Sequence, residues 1–276
     1  MKFTGANVLM GLPSGRYDGH AHVFGIDGTM VSGRRYTPDR PALLADYIAL
    51  LKGHGLDGGL LVQPSFLGTD NTYLVDCLRR TDEHGDLVFR GVAMTDPATS
   101  DTALADMAEA GVLGMRLNLI GREVPDFTTP EWRGHLHDLA ALGWHLEVQI
   151  EGARLSPVLP VLAEHAYRLV IDHFGLPAQG CFETCAGFRA LLEAPGDQVF
   201  VKLSAPYRAF PDAAGDVLSE RARSAATRLV ERFAPERLVW GSDWPWTRHE
   251  AGRSFEEALT WRATWESLIS TPPASR

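Results

Sequence analysis

The stretch "LGMRLNLIGREVPDFTTPEWRGHLHDLAALGWHLEVQI", residues 113–150, reads as one strand–helix–strand unit. "LGMRLNL" (113–119) and "WHLEVQI" (144–150) are short, largely apolar runs of strand length, and "PEWRGHLHDLAALG" (130–143) spaces its apolar residues like a helix. Pro130 stands where a helix tolerates a missing N–H, and Gly143 where a helix ends. Strands joined through a helix run parallel. Within "HLEVQI", alternation predicts that Leu146, Val148 and Ile150 face the helices and that His145, Glu147 and Gln149 face the other way. A glutamate buried at that depth is costly without a partner, so Glu147 needs one.

The same unit recurs outward in both directions. Upstream lie "RYDGHAHVFG" (16–25), "GGLLVQP" (58–64) and "LVFRGVAM" (87–94), separated by helix-like "RPALLADYIALLKGHG" (40–55), "DNTYLVDCLRRTDEHG" (70–85) and "DTALADMAEAG" (101–111). Downstream, "YRLVIDH" (167–173), "QVFVKLS" (198–204) and "RLVWGSD" (237–243) alternate with helix-like segments near 156–166, 182–194, 216–233 and 253–270. Eight such pairs predict a (β/α)8 TIM barrel, taken as a single domain over residues 1–276. The rival, a doubly wound open sheet, seldom needs eight regular units.

Composition narrows the function. Of 276 residues, 45% are hydrophobic and 22% charged, ordinary for a globular enzyme. A net charge of −9 is not the balance of a nucleic-acid binder. No run approaches the ~18 apolar residues of a membrane span, and "MKFTGANVLMGLPSG" lacks the apolar stretch of a signal peptide. A cytoplasmic enzyme is expected, with homo-oligomerisation left open. Cys77, Cys181 and Cys185 are odd in number, and Cys181-x-x-x-Cys185 has no second pair to complete a zinc knuckle.

A barrel of this kind places its chemistry at the C-terminal ends of the strands. There the sequence offers His20 and His22, Gln63 and Ser65, Arg116 and Asn118, Gln149 and Glu151, His173, Ser204 and Asp243. Strand alternation predicts that Asp18 shares a face with His20 and His22. His54, His84, His135, His137 and His165 fall in helix-like segments and are expected at the surface, whereas His249 follows strand eight closely enough to reach the site.

"DGHAHVF", "IDHFG" and "VWGSDWPW", at strands one, six and eight, together resemble the amidohydrolase superfamily, and within it a branch of small lactonases. The resemblance covers the whole chain. It implies hydrolysis of a lactone such as 2-pyrone-4,6-dicarboxylate, with Asp243 as general base and His20, His22 and His173 polarising the carbonyl. "VQPSFLGTDNTYL", "GMRLNLIGR", "VKLSAPYR" and "RRYTPDRPALL" resemble the branch's substrate loops and imply Ser65, Arg116, Arg122, Arg208 and Tyr36 as substrate-binding, with Gln149 where the branch presents a tyrosine. Three arginines at one site in an acidic chain suit a small anionic lactone, because guanidinium forks match carboxylates. Gln149 and Glu151, rather than Lys or His, end strand five and argue against a binuclear centre. The resemblance implies either no required cofactor or a single divalent metal, zinc by donor type, held by His20, His22, His173 and Asp243. A sugar-acid lactonase, a zinc-dependent decarboxylase of the same superfamily and a non-catalytic anion-binding barrel are the alternatives.

Overall fold

Eight parallel strands hydrogen-bond in chain order in the computed structural model of the protein: β1 (Tyr17–Ala21), β2 (Gly58–Val62), β3 (Val88–Ala93), β4 (Val112–Asn118), β5 (His145–Gln149), β6 (Leu169–Ile171), β7 (Val199–Ser204) and β8 (Leu238–Gly241). The structure describes residues 5–26, 28–166, 168–177 and 182–270; Tyr167 and Cys181 lie outside them. The barrel closes just beyond the end of β8. Asp243 N donates to His20 O at 2.9 Å and His22 N to Trp244 O at 2.7 Å, with Ala21 bridging Trp244 in parallel. The closing seam therefore carries two histidines and the aspartate, and its backbone bonds fix their spacing.

Helices cover the outside, and local chemistry sets their ends. Ser100 Oγ caps Asp101–Ala110 by accepting from Ala103 N, and Thr129 Oγ1 caps Pro130–Ala141 by accepting from Trp132 N. The helix expected near 156–166 begins earlier, at Gly152, and runs to His165 with Pro157 and Pro160 inside it. The 182–194 segment is a 3-10 turn, Phe182–Thr184, followed by a helix, Ala186–Glu193. Among the described residues no helix is long and apolar enough to cross a membrane.

The barrel interior has an apolar floor and a polar upper part. Ala6, Leu9 and Met10 of the helix Gly5–Met10 pack against Tyr17, Leu60, Val62, Val92, Val170, Phe200 and Val239. Each such aliphatic or aromatic side chain contributes roughly 1.5–3 kcal/mol by leaving water. Gly5 makes this approach feasible, since a Cβ there would stand 1.9 Å from Leu238 O. Above the floor, alternation on β5 holds as expected. Leu146, Val148 and Ile150 join the outer core, while Glu147 meets Lys202 inside the barrel.

Two expectations require correction. Asp18 does not share a face with His20 and His22. Asp18 lies opposite Gly59 but Ala21 opposite Leu61, so β1 holds one extra residue, a bulge that reverses the alternation. Asp18 turns to the helix layer, accepting from Tyr47 Oη at 2.9 Å on the helix Leu44–Gly53 and from Ser242 N at 2.8 Å. His84 and His135 are buried rather than superficial, because each finds a partner inside: Cys77 O and Thr95 Oγ1, both at 2.9 Å.

Candidate active site

Three imidazoles converge on one carboxylate oxygen at the barrel mouth. His20, His22 and His173 place Nε2 at 3.7, 3.9 and 3.9 Å from Asp243 Oδ1. The other oxygen, Oδ2, accepts from Tyr207 Oη at 2.5 Å and Arg208 Nε at 2.6 Å. Arg208 is itself steadied by Thr247 O, 2.8 Å from Nη2. His173 and Asp243 both sit at positive φ, 49° and 59°. That conformation costs non-glycine residues on the order of 1–3 kcal/mol and marks positions that the surrounding structure enforces.

Each histidine is held from behind by a different partner. His22 Nδ1 lies 2.7 Å from Val62 O. A carbonyl only accepts, so this nitrogen carries the proton and the neutral ring presents a lone pair at Nε2. His173 Nδ1 contacts Ser204 Oγ at 2.8 Å, and His20 Nδ1 contacts Lys202 Nζ at 2.9 Å.

Electrostatics favour neutral imidazoles beside an ionised aspartate. Burial, reinforced by Arg116, lowers His22 to about 4. Burial followed by Lys202 holds His20 well below its ordinary value, and burial likewise lowers His173. Burial alone would push Asp243 up, but Arg208 and the surrounding imidazoles outweigh it and hold the carboxyl well below the usual range.

Beneath the site lies the partner that Glu147 requires. Lys202 Nζ, fully buried, pairs with Glu147 and stands 3.7 Å from Asp172 Oδ1. Burial and Asp172 push Glu147 up, yet Lys202 prevails and brings it to about 2. Asp172 also lies 3.6 Å from Arg116 Nη2, which joins the buried charges to the mouth.

Above Asp243 opens a cavity of about 460 Å³, its mouth included. Of the residues expected to act, His22, His173, Asp243, Ser65, Tyr36, Arg116, Arg208 and Gln149 line it. His20 lies just below, fully buried. Arg116 donates to Gln63 O at 3.0 Å and Gln149 Oε1 at 2.7 Å, and Asn118 donates to the same Oε1 at 2.8 Å. Tyr36 lines the cavity while its hydroxyl donates to Glu250. The structure does not bring Arg122 to the lining; it is exposed on its loop, and its carbonyl accepts from Arg154. Glu151 accepts from Gly121 N at 2.7 Å and from Arg154, which ties that loop down. His249 stands behind Tyr207, with ring centroids 5.2 Å apart.

Sequence reasoning missed several residues of the cavity. Arg35, Thr247 and Arg248 line the cavity alongside Asn118. Arg35 adjoins Tyr36 in "RRYTP", and its neighbourhood is cationic. Burial first, then Arg248, Arg116 and Arg208, lowers its guanidinium to about 10. Lys202 shares a β7 face with Ser204, and that alternation was the available signal for it.

The donor set fits a divalent cation by type. His20 Nε2, His173 Nε2 and Asp243 Oδ1 are buried without a hydrogen-bond partner. His20, His22 and Asp243 could hold an ion together, as could His20, Asp172 and His173. Imidazoles with a carboxylate are zinc-type ligands.

Comparison with known proteins agrees with this geometry. Residues 17–275 match the amidohydrolase family model. The chain is similar to a 4-sulfomuconolactone hydrolase of Rhizobium radiobacter, 30% identical over 252 residues, covering 87% of this chain and 79% of that one. It is also similar to a 2-pyrone-4,6-dicarboxylate hydrolase of Comamonas testosteroni, 31% identical over 244 residues, covering 85% and 78%. Among solved structures, a candidate 2-pyrone-4,6-dicarboxylic acid hydrolase of Pseudomonas putida superposes with a TM-score of 0.81 at 39% identity, covering 95% of this chain and 93% of that one. Barrel, site and relatives lead to one conclusion: the chain belongs to the amidohydrolase family, on the branch whose relatives hydrolyse lactones.

Proposed function

We propose that this protein hydrolyses a lactone bearing one or more acidic substituents, with Asp243 as the general base. The observation that carries the reading is a cavity ringed by Arg35, Arg116, Arg208 and Arg248 directly above an aspartate with one free oxygen. Carboxylate or sulfonate groups on a small ring match these guanidinium forks, and so orient the ring over the base. Both curated relatives are named for acidic lactones, one a sulfonate and one a dicarboxylate.

Water held at Asp243 Oδ1 attacks the lactone carbonyl carbon and gives its proton to that oxygen. His22, with its lone pair at Nε2, is a second acceptor that helps to orient the water. The carbonyl oxygen gains negative charge as the tetrahedral intermediate forms, and N–H groups of His20 and His173 stabilise it. The ring C–O bond then breaks, the electron pair goes to the departing ring oxygen, and the proton on Asp243 is returned to it. The product is an open-chain acid. Were His20, His22, His173 and Asp243 to hold a divalent ion instead, their ring lone pairs and the carboxylate would be its ligands, and the ion would supply Lewis-acid activation in place of the His20 and His173 N–H groups.

The test is a pH-indicator assay on carboxylated, sulfonated, sugar-acid and neutral lactones, with and without chelator. Acidic lactones are expected to open far faster than neutral ones. Preference for neutral sugar lactones would overturn the arginine assignment, and conversion of an unsaturated acid with loss of CO₂, abolished by chelator, would favour the decarboxylase.

A further inference from the structure

We propose that Lys202 is a positioning residue that fixes His20 as an N–H donor at Nε2, and thereby sets the site against holding a divalent ion through that imidazole. Lys202 Nζ lies 2.9 Å from His20 Nδ1, and both side chains are fully buried. An ammonium has three donors and no acceptor, so at this contact Lys202 donates and Nδ1 accepts. A neutral imidazole that accepts at Nδ1 carries its proton on Nε2. Glu147 on β5 and Asp172 after β6 hold Nζ in place as an ion pair and a near neighbour.

The two histidines of the H-x-H pair therefore have opposite polarity at the site. His22, backed by Val62 O, offers a lone pair at Nε2, and His20, backed by Lys202, offers a proton. A metal-binding histidine has the His22 arrangement, with its remote N–H given to a carbonyl or carboxylate. His20 has the reverse, with a cation at its back. The carboxylates that would complete a metal-binding arrangement are nevertheless close. Glu147 Oε1 and Asp172 Oδ1 each stand 3.5 Å from His20 Nδ1. Replacing the ammonium would hand an Nδ1 proton to one of them and free the Nε2 lone pair. This inference rests on the lactonase reading only for the use made of the N–H, which is stabilisation of the developing oxyanion.

The test needs no substrate. Long-range 1H–15N correlation spectra of the 15N-histidine-labelled wild type, with His20 assigned by its absence in His20→Gln, report which nitrogen is protonated. The expected spectrum has His20 protonated at Nε2 and bare at Nδ1. Zinc chloride titrated into chelator-stripped Lys202→Met should bind about 10–100-fold more tightly than to wild type. A wild-type His20 protonated at Nδ1 overturns the proposal, as does zinc affinity in Lys202→Met equal to or weaker than wild type. If Lys202→Met does not fold, the wild-type spectrum decides alone. An inactive lactone panel with a protonated Nε2 would overturn the function and leave the tautomer standing.

Discussion

Arg208 Nε lies 2.6 Å from Asp243 Oδ2, and that contact divides the carboxylate into a bound oxygen and a free one. Tyr207 completes the bound side, so only Oδ1 faces the imidazoles. The arginine that lines the cavity thus also keeps the Asp243 carboxyl ionised.

Removing that guanidinium should raise the Asp243 pKa. A base must be deprotonated to act, so the acid limb of kcat against pH should move to higher pH in Arg208→Gln. At neutral pH kcat should fall about tenfold or more, as expected when a base loses the correct protonation state and position. An unshifted pH profile would contradict this role.

Arg35 and Arg122 should behave differently despite their shared charge. Arg35 lines the cavity and donates to Asn118 Oδ1 at 3.2 Å, whereas Arg122 is exposed outside the lining. Arg35→Met should raise KM for an acidic lactone about 10–100-fold, the value of a charge-assisted hydrogen bond. Arg122→Ala should leave KM within about twofold. Steady-state kinetics with one anionic and one neutral lactone would separate the two.

Acid should destabilise the fold before it unfolds the chain outright. His22 falls to about 4 in the folded protein against 6.5 ordinarily. The unfolded chain therefore binds more protons between those values, so this stability is complete above pH 6.5 and is lost as pH falls towards 4. The loss amounts to at most about 3 kcal/mol. Glu147, lowered to about 2 from 4.5, adds stability that is full above 4.5 and lost further down. Urea denaturation at pH 7 and pH 5 should give a lower midpoint at pH 5, with a smaller difference in His22→Gln.

The buried ion pair should be costly to halve. Glu147→Leu leaves Lys202 with Asp172 at 3.7 Å as its nearest remaining carboxylate, and should destabilise the fold by about 3–5 kcal/mol. Chemical denaturation measures this directly, and a change under about 1 kcal/mol would mean that Glu147 is dispensable as a partner.

The barrel was legible because β-length and helix-length patterns alternate in register with their turn residues, from Asp18 to Asp243. Chemistry at strand ends followed from the parallel topology. Alternation misplaces Asp18 because it presumes a regular strand, and nothing in "YDGHAH" announces the extra residue opposite Gly59 and Leu61. Lys202 stood in plain sight in "VKLS", but its pairing with Glu147 depends on the register of β5, β6 and β7 together. Arg35 and Arg248 reach the cavity from loops, whose paths no periodicity encodes. Arg122 is expected only from the resemblance of "GMRLNLIGR" to a substrate loop, and this chain's loop carries it outward instead.

The role of Asp243 is tested by comparing wild type with Asp243→Asn on the best acidic lactone of the panel, measuring turnover by ring opening and affinity by calorimetry. A loss of about 10²–10⁴-fold in kcat is expected, with substrate still bound. Turnover by Asp243→Asn within a few-fold of wild type, or a wild type that binds acidic lactones without opening any, would contradict it.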